Sequence, residues 1–214
     1  MTLRRVFIVL SLVLVSTGVA VPAQAQSGPG DAVAWGHAGM VTGQTVVAPV
    51  APCHTERRLT ASNTLTSVPN VVTFRNSKSV CTIDALGEEA SVTVTGGRFV
   101  FDWLRRWGGP SIRLASYLAK CDAVPEGSES AFQFSGLSGV PGVLPQPVPA
   151  NHKVTIAGGP NGRPWATVTF NEVHAPTPQN GSQTVHLMHI KIFPQGGPAR
   201  GDAYIGTVFC SPVS

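Results

Sequence analysis

Apolar residues alternate with small polar ones in short runs along much of the chain. In residues 90–95, Val92 and Val94 point one way and Ser91, Thr93 and Thr95 the other, the period of a strand with one covered face. Phe99, Phe101 and Trp103 share a face in the next run. Further runs follow at 112–121, 131–134, 153–156, 165–173, 184–193 and 204–210. The runs 153–156 and 165–173 flank Gly158-Gly159-Pro160-Asn161-Gly162, whose glycines supply the positive φ of a tight reversal, so these two runs pair as a hairpin. Glycine (23) and proline (18) recur throughout, interrupting helices and separating strands, and residues 101–106 alone suit a short helix. The pattern predicts a mostly β fold, a single antiparallel β-sandwich or barrel-like domain.

The first residues break this pattern. Arg4 and Arg5 precede an apolar run at 6–15, and Ala23-Gln24-Ala25 places small residues where a signal peptidase requires them, so residues 1–25 read as an export signal cut before Gln26. The run is about ten residues, short of the roughly 20 that span a bilayer as a helix. No cysteine near residue 25 offers a lipid anchor, and the last residues carry no hydrophobic tail. Residues 26–34 are expected to be a loose leader and 35–214 the β domain. The expected location is extracellular, with loose wall association as a variant and no membrane attachment after cleavage.

Composition sharpens this reading in two respects. The signal holds two of the fifteen Lys and Arg residues and none of the eleven acids, so the rest of the chain is close to neutral at +2. Its basic residues are scattered apart from Arg57-Arg58 and Arg105-Arg106, whereas a nucleic-acid surface needs clustered cations. Four cysteines, Cys53, Cys81, Cys121 and Cys210, all follow the cut, and an even number in an exported chain predicts two disulfides. Of the three possible pairings, Cys53–Cys81 with Cys121–Cys210 is the one favoured. Their spacings match no zinc pattern.

The C-terminal half holds a series of short motifs in order: Leu118-Ala119-Lys120-Cys121, Ser135-Gly136-Leu137-Ser138-Gly139-Val140, Pro145-Gln146-Pro147-Val148-Pro149-Ala150-Asn151, Val168-Thr169-Phe170-Asn171-Glu172, Thr184-Val185-His186-Leu187-Met188-His189-Ile190 and Ile205-Gly206-Thr207-Val208-Phe209-Cys210. Over about residues 110–210 this order resembles the choice-of-anchor P family of actinobacterial exported proteins. Leu-Met-His stands where that family has a small residue before Leu-His, and residues 101–107 have no counterpart. The resemblance implies the β fold and the Cys121–Cys210 pairing, and brings no catalytic residue with it.

Candidate chemistry is sparse. His186 and His189 are three apart, which in a regular strand places them on opposite faces and prevents a shared metal. Ser138 has Val140 where a nucleophile elbow needs glycine. Asn171 and Glu172 end a run with His174 nearby, a carboxylate and imidazole suited to acid–base work, though strand-end polar residues commonly face water. Eleven dispersed acids offer no calcium cluster, and Asn180-Gly181-Ser182 reads as a turn. Trp35, Trp103, Trp107 and Trp165 could offer a sugar-stacking platform, because a flat aromatic face packs on the C–H groups of a sugar, and Trp103 and Trp107, interleaved with Asp102, Arg105 and Arg106, are the nominated ligand-binding residues.

These features point to a non-catalytic extracellular domain that binds wall polymer, glycan or a surface protein, with no cofactor, no metal and no nucleic acid. The alternatives are a hydrolase assembled from distant residues, with His189, Glu172 and Asp102 as its candidates, and a protease inhibitor presenting residues 140–149.

Overall fold

A computed structural model describes residues 30–213, so the expected export signal, residues 1–25, lies outside the described residues. The expected leader gives way to structure early: Ala32 donates its backbone N–H to the Gly87 carbonyl at 2.8 Å, and the first strand opens at Val33. In chain order the strands are β1 (Val33–Gly43), β2 (Val47–Val50), β3 (Cys53–His54), β4 (Thr60–Val68), β5 (Val72–Ile83), β6 (Ala90–Gly96) and β7 (Phe99–Phe101). After a 3-10 helix at Trp103–Trp107 come β8 (Ile112–Leu114), β9 (Ser116–Val124), β10 (Gly127–Ser135), β11 (His152–Ile156), β12 (Ala166–His174), β13 (Gln183–Ile192) and β14 (Gly201–Ser211).

The strands form two antiparallel sheets. The first runs β11-β12-β13-β14-β1-β2, with β3 also paired to β1. The second runs β10-β9-β6-β5-β7-β8, with β4 also paired to β5. The sheets pack face to face as a sandwich, with no closed barrel. Phe74, Phe99 and Ile112 of the second sheet meet Phe170, Leu187 and Ile205 of the first in one core, all fully buried. The hairpin expected from the glycine-rich turn is present, with Lys153 opposite Thr169 and Ile156 opposite Ala166.

Two expectations need correction. The run 112–121 is two strands with different partners, because Ala115 leaves the β8 line and donates its N–H to the Ser135 carbonyl. The first third of the described chain, β1 to β5, gave little alternating signal yet supplies an interior strand to each sheet, β1 to the first and β5 to the second. In β1 the inward positions are small so that the second sheet can approach: a Cβ at Gly36 would sit 2.8 Å from Val92 and Val94 methyls, and one at Gly39 would run into the Phe74 ring.

Both disulfides form as favoured, and each links one sheet to the other. Cys53 of β3 joins Cys81 of β5, and Cys121 of β9 joins Cys210 of β14, with Cα–Cα distances of 5.8 Å. All four sulfurs are buried. Two buried disulfides fit an oxidising compartment. Among the described residues no helix is long and apolar enough to cross a membrane.

Candidate functional site on the outer face of the first sheet

The outer face of the first sheet owes its character to one line of irregularity. In β13 both Leu187 and Met188 are buried, so the inward–outward alternation slips by one residue there. The slip has counterparts on either side, at Asn171 (φ 49) in β12 and at Gly206 (φ 61) in β14. In β1 the consecutive residues Ala38 and Gly39 are both buried at the same level. Register is kept across the line: Phe170 pairs with Met188 and Glu172 with His186, while Ile205 pairs with Met188 and Thr207 with His186. Neighbouring strands therefore kink together. Left-handed backbone at an asparagine and a glycine is what makes this cheap.

The slip places residues three apart on the same face. His37, Thr207, His186 and Glu172 form one row across β1, β14, β13 and β12, and Met40, Tyr204, His189 and Thr169 form the next. His186 and His189 therefore stand together, ring centroids 6.3 Å apart, which overturns the expectation that a strand would separate them. Tyr204 stacks on His189 (4.4 Å, 17°) and tilts against His186 (4.7 Å).

His189 lies between two carboxylates. Its Nδ1–H donates to Glu172 Oε2 and its Nε2–H to Asp202 Oδ1, each at 2.8 Å. Burial disfavours the imidazolium, but these hydrogen bonds and charges outweigh it and push the His189 pKa up to about 9. Burial likewise opposes ionisation of Glu172, yet the hydrogen bond and charge of His189, with His186 and His174 nearby, hold its pKa down at about 2. His186 goes the other way: burial, reinforced by His189 and His174 and opposed by Glu172, pulls it down to about 4. Neutral His186 bonds through Nδ1 to Thr207 Oγ1 at 2.9 Å. The ligand atoms of Glu172, His174 and His186 all lie within 4.8 Å of one another, so these three side chains have the spacing to hold a cation.

Of the nominal hydrolase trio, Glu172 and His189 do meet. Asp102 does not join them: it precedes the 3-10 helix beyond β7 in the second sheet, beside Arg105. Asp202 takes the third position. With both ring nitrogens of His189 donating to carboxylates, no lone pair remains to take a proton from a nucleophile.

The proposed aromatic platform is also corrected. Trp103 is 2 % exposed, packed edge-on to Phe101 in the core, and offers no face to a ligand. Trp107 is half-buried with its edge on Phe193. Arg105 and Arg106 are exposed and, with Asn70 and Asp102, line a shallow polar depression.

Of the four candidate tryptophans, Trp35 lies on the histidine-bearing face. Trp35 stacks on Phe209 of β14 (5.3 Å, 15°) and, in the same strand, lies near-parallel to His37. On the β2–β3 side of β1 it lines a cavity of about 550 Å³ with His37, Met40, Pro49, Pro52, Arg57 and Arg58. His37 is buried (6 % exposed), and its Nδ1 makes no well-formed hydrogen bond. Burial lowers its pKa to about 4, a contact with the Gly39 backbone opposing this only in part. The sequence signal was present in Trp35-Gly36-His37 and Arg57-Arg58, but nothing local showed that they share one hollow. Compared with known proteins, the chain matches no protein-family model, no curated protein and no solved structure.

Proposed function

We propose that this is a secreted, non-catalytic domain that binds an anionic glycan or wall polymer outside the cell, at the cavity beside Trp35. Membership of the choice-of-anchor P group, on the ordered motifs of residues 110–210, belongs to the same reading. The observation that carries it is the cavity's composition. An indole ring and Met40 offer apolar surface for a sugar's C–H face. The exposed Arg57 and Arg58 add two cations suited to carboxylate or phosphate groups on the polymer. The export signal and buried disulfides support a place outside the cytoplasm.

The test is co-sedimentation of the mature protein with purified bacterial wall, with and without its anionic polymers, alongside Trp35→Ala and Arg57→Ala/Arg58→Ala variants. Retention is expected to fall in Trp35→Ala, and in the arginine variant to approach that seen on walls stripped of anionic polymer. Equal retention of all three proteins, or none by the wild type at high micromolar concentration, would sink the reading.

A further inference from the structure

On the same sheet, across β14 from the cavity, three donor side chains converge in a way the glycan reading does not use. Glu172 Oε2 and His174 Nε2 are 3.5 Å apart, and His186 completes the set within 4.8 Å. We propose that Glu172, His174 and His186 form a binding site for a divalent cation of borderline softness, with Zn²⁺ as its reference ligand and Cu²⁺ as a tighter competitor.

The donor set selects the class of ion. Two imidazoles and one carboxylate, without thiolate, suit Zn²⁺ and Cu²⁺, whereas Ca²⁺ and Mg²⁺ require shells of oxygen. In a tetrahedral zinc site with bonds of 2.0–2.1 Å, ligand atoms lie roughly 3.4 Å from one another. The Glu172–His174 pair already has that separation. His174, with 60 % of its side chain exposed, is free to draw in towards His186.

The surrounding groups prepare the ligands. The hydrogen bond between His186 Nδ1 and Thr207 Oγ1 occupies that ring nitrogen and leaves Nε2 to face the ion. His189 donates to Glu172 and is itself held by Asp202, so the carboxylate is fixed and a chain of alternating charge stands behind it. Supporting shells of this kind set tautomer and orientation in metal sites. The exposed side of His174 leaves the remaining coordination position to solvent.

The kink explains why the supporting histidine stands behind the ligands, which themselves share a face by ordinary alternation and register. Without the slip at Leu187, His189 alone would turn to the other side of the sheet and could not reach Glu172.

The experiment is calorimetric titration of Zn²⁺ into untagged, chelator-stripped mature protein, with Co²⁺ absorption as a readout of coordination. One ion per chain is expected, with a Kd of about 1 μM or tighter. His174→Gln and His186→Gln are each expected to weaken binding at least about tenfold, and Thr207→Val by about ten- to a hundredfold. His152→Gln, a histidine outside the cluster, is expected to bind as the wild type does. Co²⁺ is expected to give the intense visible bands of a four-coordinate site in the wild type and to lose them in His174→Gln. Should His186→Gln misfold by circular dichroism, His174→Gln decides alone, because its side chain is exposed. No saturable binding at about 100 μM Zn²⁺, or unchanged affinity in His174→Gln, overturns the proposal. Trp35→Ala is expected to leave Zn²⁺ affinity unchanged, so failure here and failure of the glycan reading are separable.

Discussion

His186 and His189, three residues apart in one strand, stand on the same face of the sheet with ring centroids 6.3 Å apart. A regular strand forbids this, since its side chains alternate with a period of two. It happens because β12, β13 and β14 slip their alternation along one line while keeping register, with Asn171 and Gly206 in left-handed backbone on either side of β13. The whole polar cluster, including the bond from His189 to Glu172, follows from that line.

Gly206 is the most exacting point on it. Its φ of 61° disfavours a side chain, and an added Cβ would lie 3.0 Å from the Leu187 Cβ. Gly206→Ala is expected to cost about 1–3 kcal/mol, the price of a left-handed non-glycine residue with crowding added. Urea denaturation would measure it. The variant is also expected to move the His189 ring resonances in NMR, because the two rows flanking the slip are displaced against each other. A loss of stability below a few tenths of a kcal/mol would show that the line relaxes freely.

The alternating runs of the later chain were legible because their inward residues are large: Val92 and Val94 in β6, or Val168 and Phe170 in β12. β1 was not, since its inward residues are Ala34, Gly36 and Gly39, chosen for closeness rather than bulk. β5 hides its pattern differently, burying Ser77 and Ser79 where an apolar residue would have revealed the face. The histidine cluster was half legible. His186, His189, Glu172 and His174 stood out as residue types; Glu172 and His174 share a face by the period-two rule, but that rule set His189 apart from His186, and only aligned slips in neighbouring strands bring it back. Asp202 and Thr207 had no local signal, because their roles depend on register with β13.

The two disulfides differ in reach. Cys121–Cys210 spans 89 residues and Cys53–Cys81 spans 28. Closing the longer loop removes more entropy from the unfolded chain, about 4.6 against about 3.6 kcal/mol as upper values. Cys121→Ser/Cys210→Ser is thus expected to lower the urea midpoint more than Cys53→Ser/Cys81→Ser, with little change in the folded far-UV spectrum of either variant at low temperature. The reverse order would mean that native packing around Cys53, beside the Trp35 cavity, outweighs loop length.

Trp103 illustrates how a shared face can be read for burial instead of binding. It follows Phe99 and Phe101 on the side that turns into the core, and its ring sits edge-on to Phe101 at 6.3 Å. Trp103→Ala is expected to destabilise by about 3–5 kcal/mol, the range for truncating a buried aromatic. Wall retention by the folded fraction is expected to stay unchanged. Trp107→Ala, half-buried against Phe193, is expected to cost markedly less. Thermal melts of both variants, with sedimentation of the folded fraction, would check the pair.

The buried His37 sets the sign of one pH effect. Its folded pKa is lowered to about 4, mainly by burial, from an ordinary value near 6.5. Between those values the unfolded chain binds the proton more readily than the folded one, so stability rises with pH. The contribution is full above about pH 6.5, is lost as pH falls towards 4, and is gone below. His186, held near 4, adds to the same loss, and Glu172, held near 2, extends it below pH 4.5. His37→Leu, which fills the space without a titrating group, is expected to flatten the slope of unfolding free energy against pH between 6.5 and 4, leaving the part due to His186. Urea titrations at half-unit pH steps in the presence of a chelator would resolve the change. An unaltered slope in His37→Leu would mean that His37 is protonated without cost in the folded protein, and that the cavity beside Trp35 is wetter than its burial implies.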